Sequence, residues 1–147
     1  MKKIIGLLLL SWLLVACKIQ VPSTTTLKIK GQAIKAEIAQ TPAEQIRGLS
    51  FRRFLAEDEG MLFIYPDYQT RNFWMKDMKF PLDILWLKDN QIVGFVKNIP
   101  APTSSQLMIY QSNEPVNYVL ELKAGWLEKN QVQVGDKVEF LTNQTGP

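Results

Sequence analysis

The chain has 147 residues, 46% hydrophobic and 21% charged, with one cysteine, no histidine and a formal net charge of +3. The missing histidine removes the usual Ser–His and Cys–His nucleophile pairs and the commonest zinc ligand. Lys2 and Lys3 stand in an acid-free stretch of residues 1–16, so the rest carries about 3 − 2 = +1, which argues against a nucleic-acid binder with its basic stripe.

Ile4 to Ala16 is an apolar stretch of 16 − 4 + 1 = 13 residues, shorter than the roughly 18 that a membrane span needs. Two lysines before it and small residues after it mark residues 1–16 as a signal peptide. Its exit, Leu14-Val15-Ala16-Cys17, resembles the lipobox of bacterial lipoproteins. That resemblance implies diacylglycerol on the Cys17 thiol and cleavage before Cys17. It also implies an extracytoplasmic, lipid-anchored place in the cell envelope. Lys18 instead of Asp implies the outer membrane if the cell is Gram-negative. Two or three acyl chains hold a protein firmly where one holds it marginally.

Residues 17–26 read as a lipidated tether ending in Pro22-Ser23-Thr24-Thr25-Thr26; as a flexible coil, the part from Lys18 reaches about 15–18 Å. A single domain, 27–147, follows. Ile34, Ala36 and Ile38 alternate with Lys35 and Glu37, the period of a half-buried strand. Thr41-Pro42-Ala43-Glu44 predicts a helix start, with Thr41 as N-cap, Pro42 at the first position and Glu44 closing a capping box; Gly48 stops it. Met61–Tyr65, Asn72–Met75, Leu82–Leu87, Ile92–Ile99, Tyr118–Leu122 and Lys137–Leu141 read as strands, with a hairpin turn at Asp89-Asn90. Six to eight short strands and one or two short helices predict a mainly β, sandwich- or barrel-like domain.

The middle of the chain is its most distinctive part. Gly60-Met61-Leu62-Phe63 is followed by Phe73-Trp74-Met75-Lys76-Asp77-Met78 and by Pro81-Leu82-Asp83-Ile84-Leu85-Trp86-Leu87. Arg47-Gly48-Leu49 and Glu57-Asp58-Glu59 precede them; Tyr118-Val119-Leu120-Glu121-Leu122, Ala124-Gly125 and Gly135-Asp136 come after. Over about residues 38–138 this order resembles the bacterial and archaeal family called domain of unknown function 192. The resemblance implies a compact, mainly β domain, often secreted or lipid-anchored, with no established activity. The chain departs from the family pattern at Ser50, where Gly-Leu-Met is usual, and at Asp77-Met78, where Asn-Thr is usual.

On the Leu82–Leu87 strand, Asp83 shares a face with Leu85 and Leu87. A carboxylate there needs a partner, because an unpaired buried charge costs several kcal/mol. Arg47, Arg71 and Lys76 are the candidate cations, and the pair is either a structural pin or the polar floor of a ligand pocket. Phe63, Tyr65, Phe73, Trp74 and Trp86 are core aromatics or, where exposed, surfaces for stacking on sugar rings. Trp74, Lys76 and Asp77 lie where a strand gives way to a loop, which suits a binding rim. The ligand-binding candidates are therefore Arg47, Arg71, Trp74, Lys76, Asp77 and Asp83, with lipidation at Cys17.

The first functional reading is a non-catalytic binding or accessory lipoprotein. It would meet the membrane through Cys17 and recognise a cell-wall saccharide, a peptide or an envelope protein, with no nucleic acid, metal or cofactor. The second is a hydrolase using Asp83 with Glu121 or Asp58, since glycoside hydrolysis needs two carboxylates about 5–10 Å apart. A purely structural role in an envelope complex is the third.

Overall fold

A computed structural model describes residues 23–104 and 107–141. The elements run β1 (Thr24–Ile29), β2 (Gln32–Ala39), α1 (Pro42–Arg47), β3 (Glu59–Gln69), β4 (Asn72–Trp74) and β5 (Leu82–Lys88). Then come β6 (Gln91–Ile99), β7 (Ile109–Gln111), β8 (Val116–Lys123), α2 (Trp126–Lys129) and β9 (Val138–Leu141). Seven strands form one sheet in the order β6-β5-β8-β3-β2-β1-β9, and β4 and β7 form a separate ribbon. Only β2 and β3 are parallel, joined by a crossover that contains α1.

The sheet curls into a half-barrel. Its edges meet at one end, where Gln91 bridges Lys137. There the Gly135 N–H donates to the Ile92 carbonyl at 2.8 Å, and the Val138 N–H to the Asn90 carbonyl at 2.8 Å. The mainly β domain is thus barrel-like as expected, one curled sheet accompanied by the β4–β7 ribbon. The curl closes part of an edge that a flat sheet would leave open to other strands.

Period-2 alternation divides the buried side chains into two cores. The inner one gathers Leu27, Ile29, Ile34, Leu85, Leu87, Leu120 and Leu122, with Trp126 and Leu127 of α2 set against them. The outer one gathers Met61, Phe63, Ile84, Trp86 and Val119 beneath Leu49, Phe73 and Met78 from the covering segments. Phe73 packs edge-on to Phe63 and Trp86, with ring centroids 4.8 and 5.6 Å apart; each such contact contributes about 0.5–1.5 kcal/mol beyond area burial. Gly94 lies opposite Trp86 in β6, where a Cβ would stand 3.1 Å from the indole.

The predicted helix start is present in full. The Glu44 N–H donates to Thr41 Oγ1 at 3.3 Å, and Glu44 Oε2 accepts the Thr41 N–H at 2.9 Å. The domain boundary moves, however. Thr24, Thr25 and Thr26 are strand residues of β1, paired with Glu37, Ala36 and Lys35, so the tether of 17–26 loses its last three residues to the sheet. Their β-branched side chains suit that pairing. Cys17 and residues 1–16, where a signal peptide is expected, lie outside the described residues.

Candidate functional site

Glu121 occupies the middle of β8, opposite Met61 of β3 on one side and Ile84 of β5 on the other. Directly opposed residues share a face, so its carboxyl enters the outer, aromatic core. The residue is 5% exposed, and Oε2 has no hydrogen-bond partner among the described residues. Burial pushes its pKa up to about 8, against a smaller opposing pull from Arg52. At neutral pH the group is therefore a neutral acid, with one O–H to donate.

Above it lies a cavity of about 240 Å³ whose walls include Phe63, Tyr65, Phe73, Trp74 and Met78. Gly48, ending α1, has φ 48°, and a Cβ there would stand 4.0 Å from Glu121 Oε2 and 3.4 Å from Phe63. Glycine thus permits the left-handed turn and keeps the space over the acid open. The next residues are stitched to the opposite rim: Ser50 Oγ donates to the Lys76 carbonyl at 2.9 Å, and the Phe51 N–H to the Asp77 carbonyl at 3.0 Å. Phe51 and Asp77 both hold positive φ, 65° and 59°. Such conformations cost of order 1–3 kcal/mol for ordinary side chains and concentrate at functional loops.

Of the sequence candidates, Trp74 and Arg47 line the cavity. Lys76 and Asp77 hold its rim loop through their backbone carbonyls. Arg71 stands behind the wall, its guanidinium 3.8 Å from the Tyr65 ring centroid, with Nη2 donating to the Asp67 carbonyl at 2.8 Å. It stiffens Tyr65 and does not reach Asp83.

Asp83 requires a correction. It lies on the face of Leu85 and Leu87, as expected, and is fully buried. Its partners are not Arg47, Arg71 or Lys76. Oδ1 accepts the Asn98 N–H at 2.7 Å, and Oδ2 the Leu127 N–H at 2.9 Å. The carboxyl thus ties β6 and α2 to β5 through backbone donors. Asp83 pairs with Leu122 while Ile84 pairs with Glu121, so the two carboxyls leave the sheet on opposite faces and cannot flank one bond. Asp58 is exposed before β3 and lines no part of the cavity. The signal that identified Asp83, an acid inside an apolar run, is equally present at Glu121 within Tyr118–Leu122.

A wider cleft of about 560 Å³ lies on the other side of α1, sharing Arg47 and Gly48 with the cavity. There Arg52 grips Glu37 with two hydrogen bonds of 2.5 Å, which hold the Glu37 carboxyl below its ordinary pKa. That cleft holds a closed ion pair, whereas the cavity over Glu121 holds an acid whose Oε2 lacks a hydrogen-bond partner among the described residues. Among the described residues no three Asp, Glu, Cys or His side chains gather to hold a metal ion.

The family model of DUF192, described as "Uncharacterized ACR", matches residues 25–140. A crystal structure from Sinorhizobium meliloti, described as that of a candidate transcription regulator, is similar at 32% identity and a TM-score of 0.73, covering 81% of this chain and 95% of that one. One of a protein of unknown function from Novosphingobium aromaticivorans is similar at 32% identity and a TM-score of 0.70, covering 81% and 84%. No curated protein matches the chain.

Proposed function

The chain belongs to the family of domain of unknown function 192, and from that footing we propose that it is a lipid-anchored envelope protein that binds a small saccharide unit in the cavity over Glu121. The carrying observation is a buried carboxyl whose Oε2 has no hydrogen-bond partner among the described residues, beside an aromatic space of about 240 Å³. That volume lies below the roughly 300–1,000 Å³ of drug-sized pockets and suits about one ring of ligand. Sugar rings present C–H faces to aromatic walls and hydroxyls to polar groups. Here Phe73, Tyr65 and Trp74 supply the walls, and Glu121 with Asn72 and Ser50 the hydrogen bonds. A ligand hydroxyl that accepts a hydrogen bond from the Glu121 O–H relieves an unpaired buried group, which is worth about 1–3 kcal/mol. Arg47 at the mouth suits an acidic substituent on the sugar.

Binding without turnover is favoured by the acid's isolation: Glu121 is the sole carboxyl among the cavity's lining residues, and a glycosidase needs a second. The envelope location draws on Leu14-Val15-Ala16-Cys17. The regulator description belongs to the Sinorhizobium protein.

Thermal unfolding of the mature acylated chain in detergent, with cell-wall mono- and disaccharides, tests the reading. A ligand at 100 times its dissociation constant adds about 2.7 kcal/mol. Glu121→Ala and Trp74→Ala are expected to abolish that gain. A gain that survives Glu121→Ala would place the ligand elsewhere.

A further inference from the structure

The point where the tether joins the domain lies beside the cavity. Ser23 precedes β1, and its carbonyl accepts the Ile38 N–H at 2.8 Å. It also lines the cleft on the far side of α1, together with Thr41, Arg47 and Gly48. Since Arg47 and Gly48 line the Glu121 cavity too, a single helix of six residues separates the tether's exit from the cavity mouth. Cys17 stands 23 − 17 = 6 residues before Ser23. At about 3.3–3.6 Å per residue, the acylated cysteine lies within roughly 20 Å of this edge.

The same edge carries exposed apolar side chains on fixed backbone. Ile46 is 71% exposed and Trp74 46%, and both line the cavity. Phe51, 68% exposed, belongs to the loop held on the Lys76 and Asp77 carbonyls. Trp74 pairs with exposed Ile109 across the β4–β7 ribbon, which sets both on one face. Exposed Arg47 and Lys76 lie among them. Large apolar groups interleaved with cations are the composition of a membrane-interface contact, with tryptophan at headgroup depth. We propose that this rim of Ile46, Phe51, Trp74 and Ile109 rests in the headgroup layer of the bilayer that holds the anchor. The Glu121 cavity then opens onto the membrane surface. The occupant of the patch is lipid; a protein partner is the competing outcome. The inference rests on the reading of Cys17 as lipidated.

Tryptophan fluorescence separates the two. Cleavage before Cys17 leaves Trp74, Trp86 and Trp126, of which the latter two are buried at 2% and 6% exposure. The mature acylated protein is reconstituted into phosphatidylethanolamine–phosphatidylglycerol vesicles, with and without bromine on the acyl chains. Brominated lipid is expected to quench one of the three emitters, and Trp74→Phe to remove the quenched component. The exposed double variant Ile46→Asp, Phe51→Asp is expected to pellet with vesicles through the anchor while losing the quenching. An acylated protein that pellets but keeps Trp74 unquenched overturns the docking and leaves the anchor standing, with the rim then free for a protein. A protein that neither carries acyl chains nor pellets overturns the anchor and the docking together. Saccharide binding is read separately in detergent, so neither result stands in for it.

Discussion

Replacing Glu121 with Gln should change how stability depends on pH, and the size of the change follows from one group. In the folded chain the carboxyl titrates at about 8, against 4.5 for an ordinary glutamate. Below 4.5 both folded and unfolded chains hold the proton, so the stability it confers is fully present. Between 4.5 and 8 the folded chain keeps the proton and the unfolded chain releases it, so stability falls as pH rises, by about 1.4 kcal/mol per pH unit. Over 8 − 4.5 = 3.5 units that sums to about 5 kcal/mol, comparable with the entire stability of a marginal domain. Glutamine keeps the shape and a donor but cannot ionise. Urea unfolding of both proteins at intervals from pH 4.5 to 9 isolates the effect, because all other titrating groups are shared. The difference in unfolding free energy, mutant minus wild type, should climb across this window by about 5 kcal/mol and level off above pH 8. Parallel curves would refute the burial and neutrality of Glu121.

Asp83→Ala leaves the Asn98 and Leu127 N–H groups without acceptors, at about 1–3 kcal/mol each; Asp83→Asn, which turns a donor toward one of them, should also destabilise, and denaturant midpoints read both. If Asp83→Asn matches wild type in stability, the two-acceptor account fails. Thr41→Ala removes the α1 cap and should cost about 0.5–2 kcal/mol, measured the same way, with an unchanged midpoint counting against it. Cys17→Ser should abolish metabolic lipid labelling and leave soluble protein or uncleaved precursor; labelled, membrane-bound mutant would contradict the anchor.

What could be read in the sequence was what local chemistry determines. The capping box at Thr41 and Glu44, the Asp89-Asn90 turn and the alternation on β5 each need only neighbours in the chain. The requirement that Asp83 be satisfied was legible as well; its partners were not. They come from β6 and from α2, a helix of four residues, too short to leave a periodic signature. Thr24–Thr26 read as tether because composition suggests a linker, while their strand character depends on β2 and β9 lying alongside. The curl of the sheet into a half-barrel follows from a strand order that pairs β8 between β3 and β5, long-range pairing that no window of sequence contains. Glu121 was legible by the rule applied to Asp83, but which acid meets backbone donors and which meets open space is decided by the faces of neighbouring strands.

The central claim is that a saccharide unit binds over Glu121. Its most direct test is an NMR titration of the mature protein, labelled with ¹⁵N and with ¹³C at glutamate carboxyls, with cell-wall mono- and disaccharides. The account predicts saturable shifts at the Gly48, Asn72, Phe73 and Trp74 amides together with the Glu121 carboxyl, all lost in Glu121→Ala. Saturable shifts confined to other surfaces, or a Glu121 carboxyl that stays unmoved while ligand binds, would contradict it.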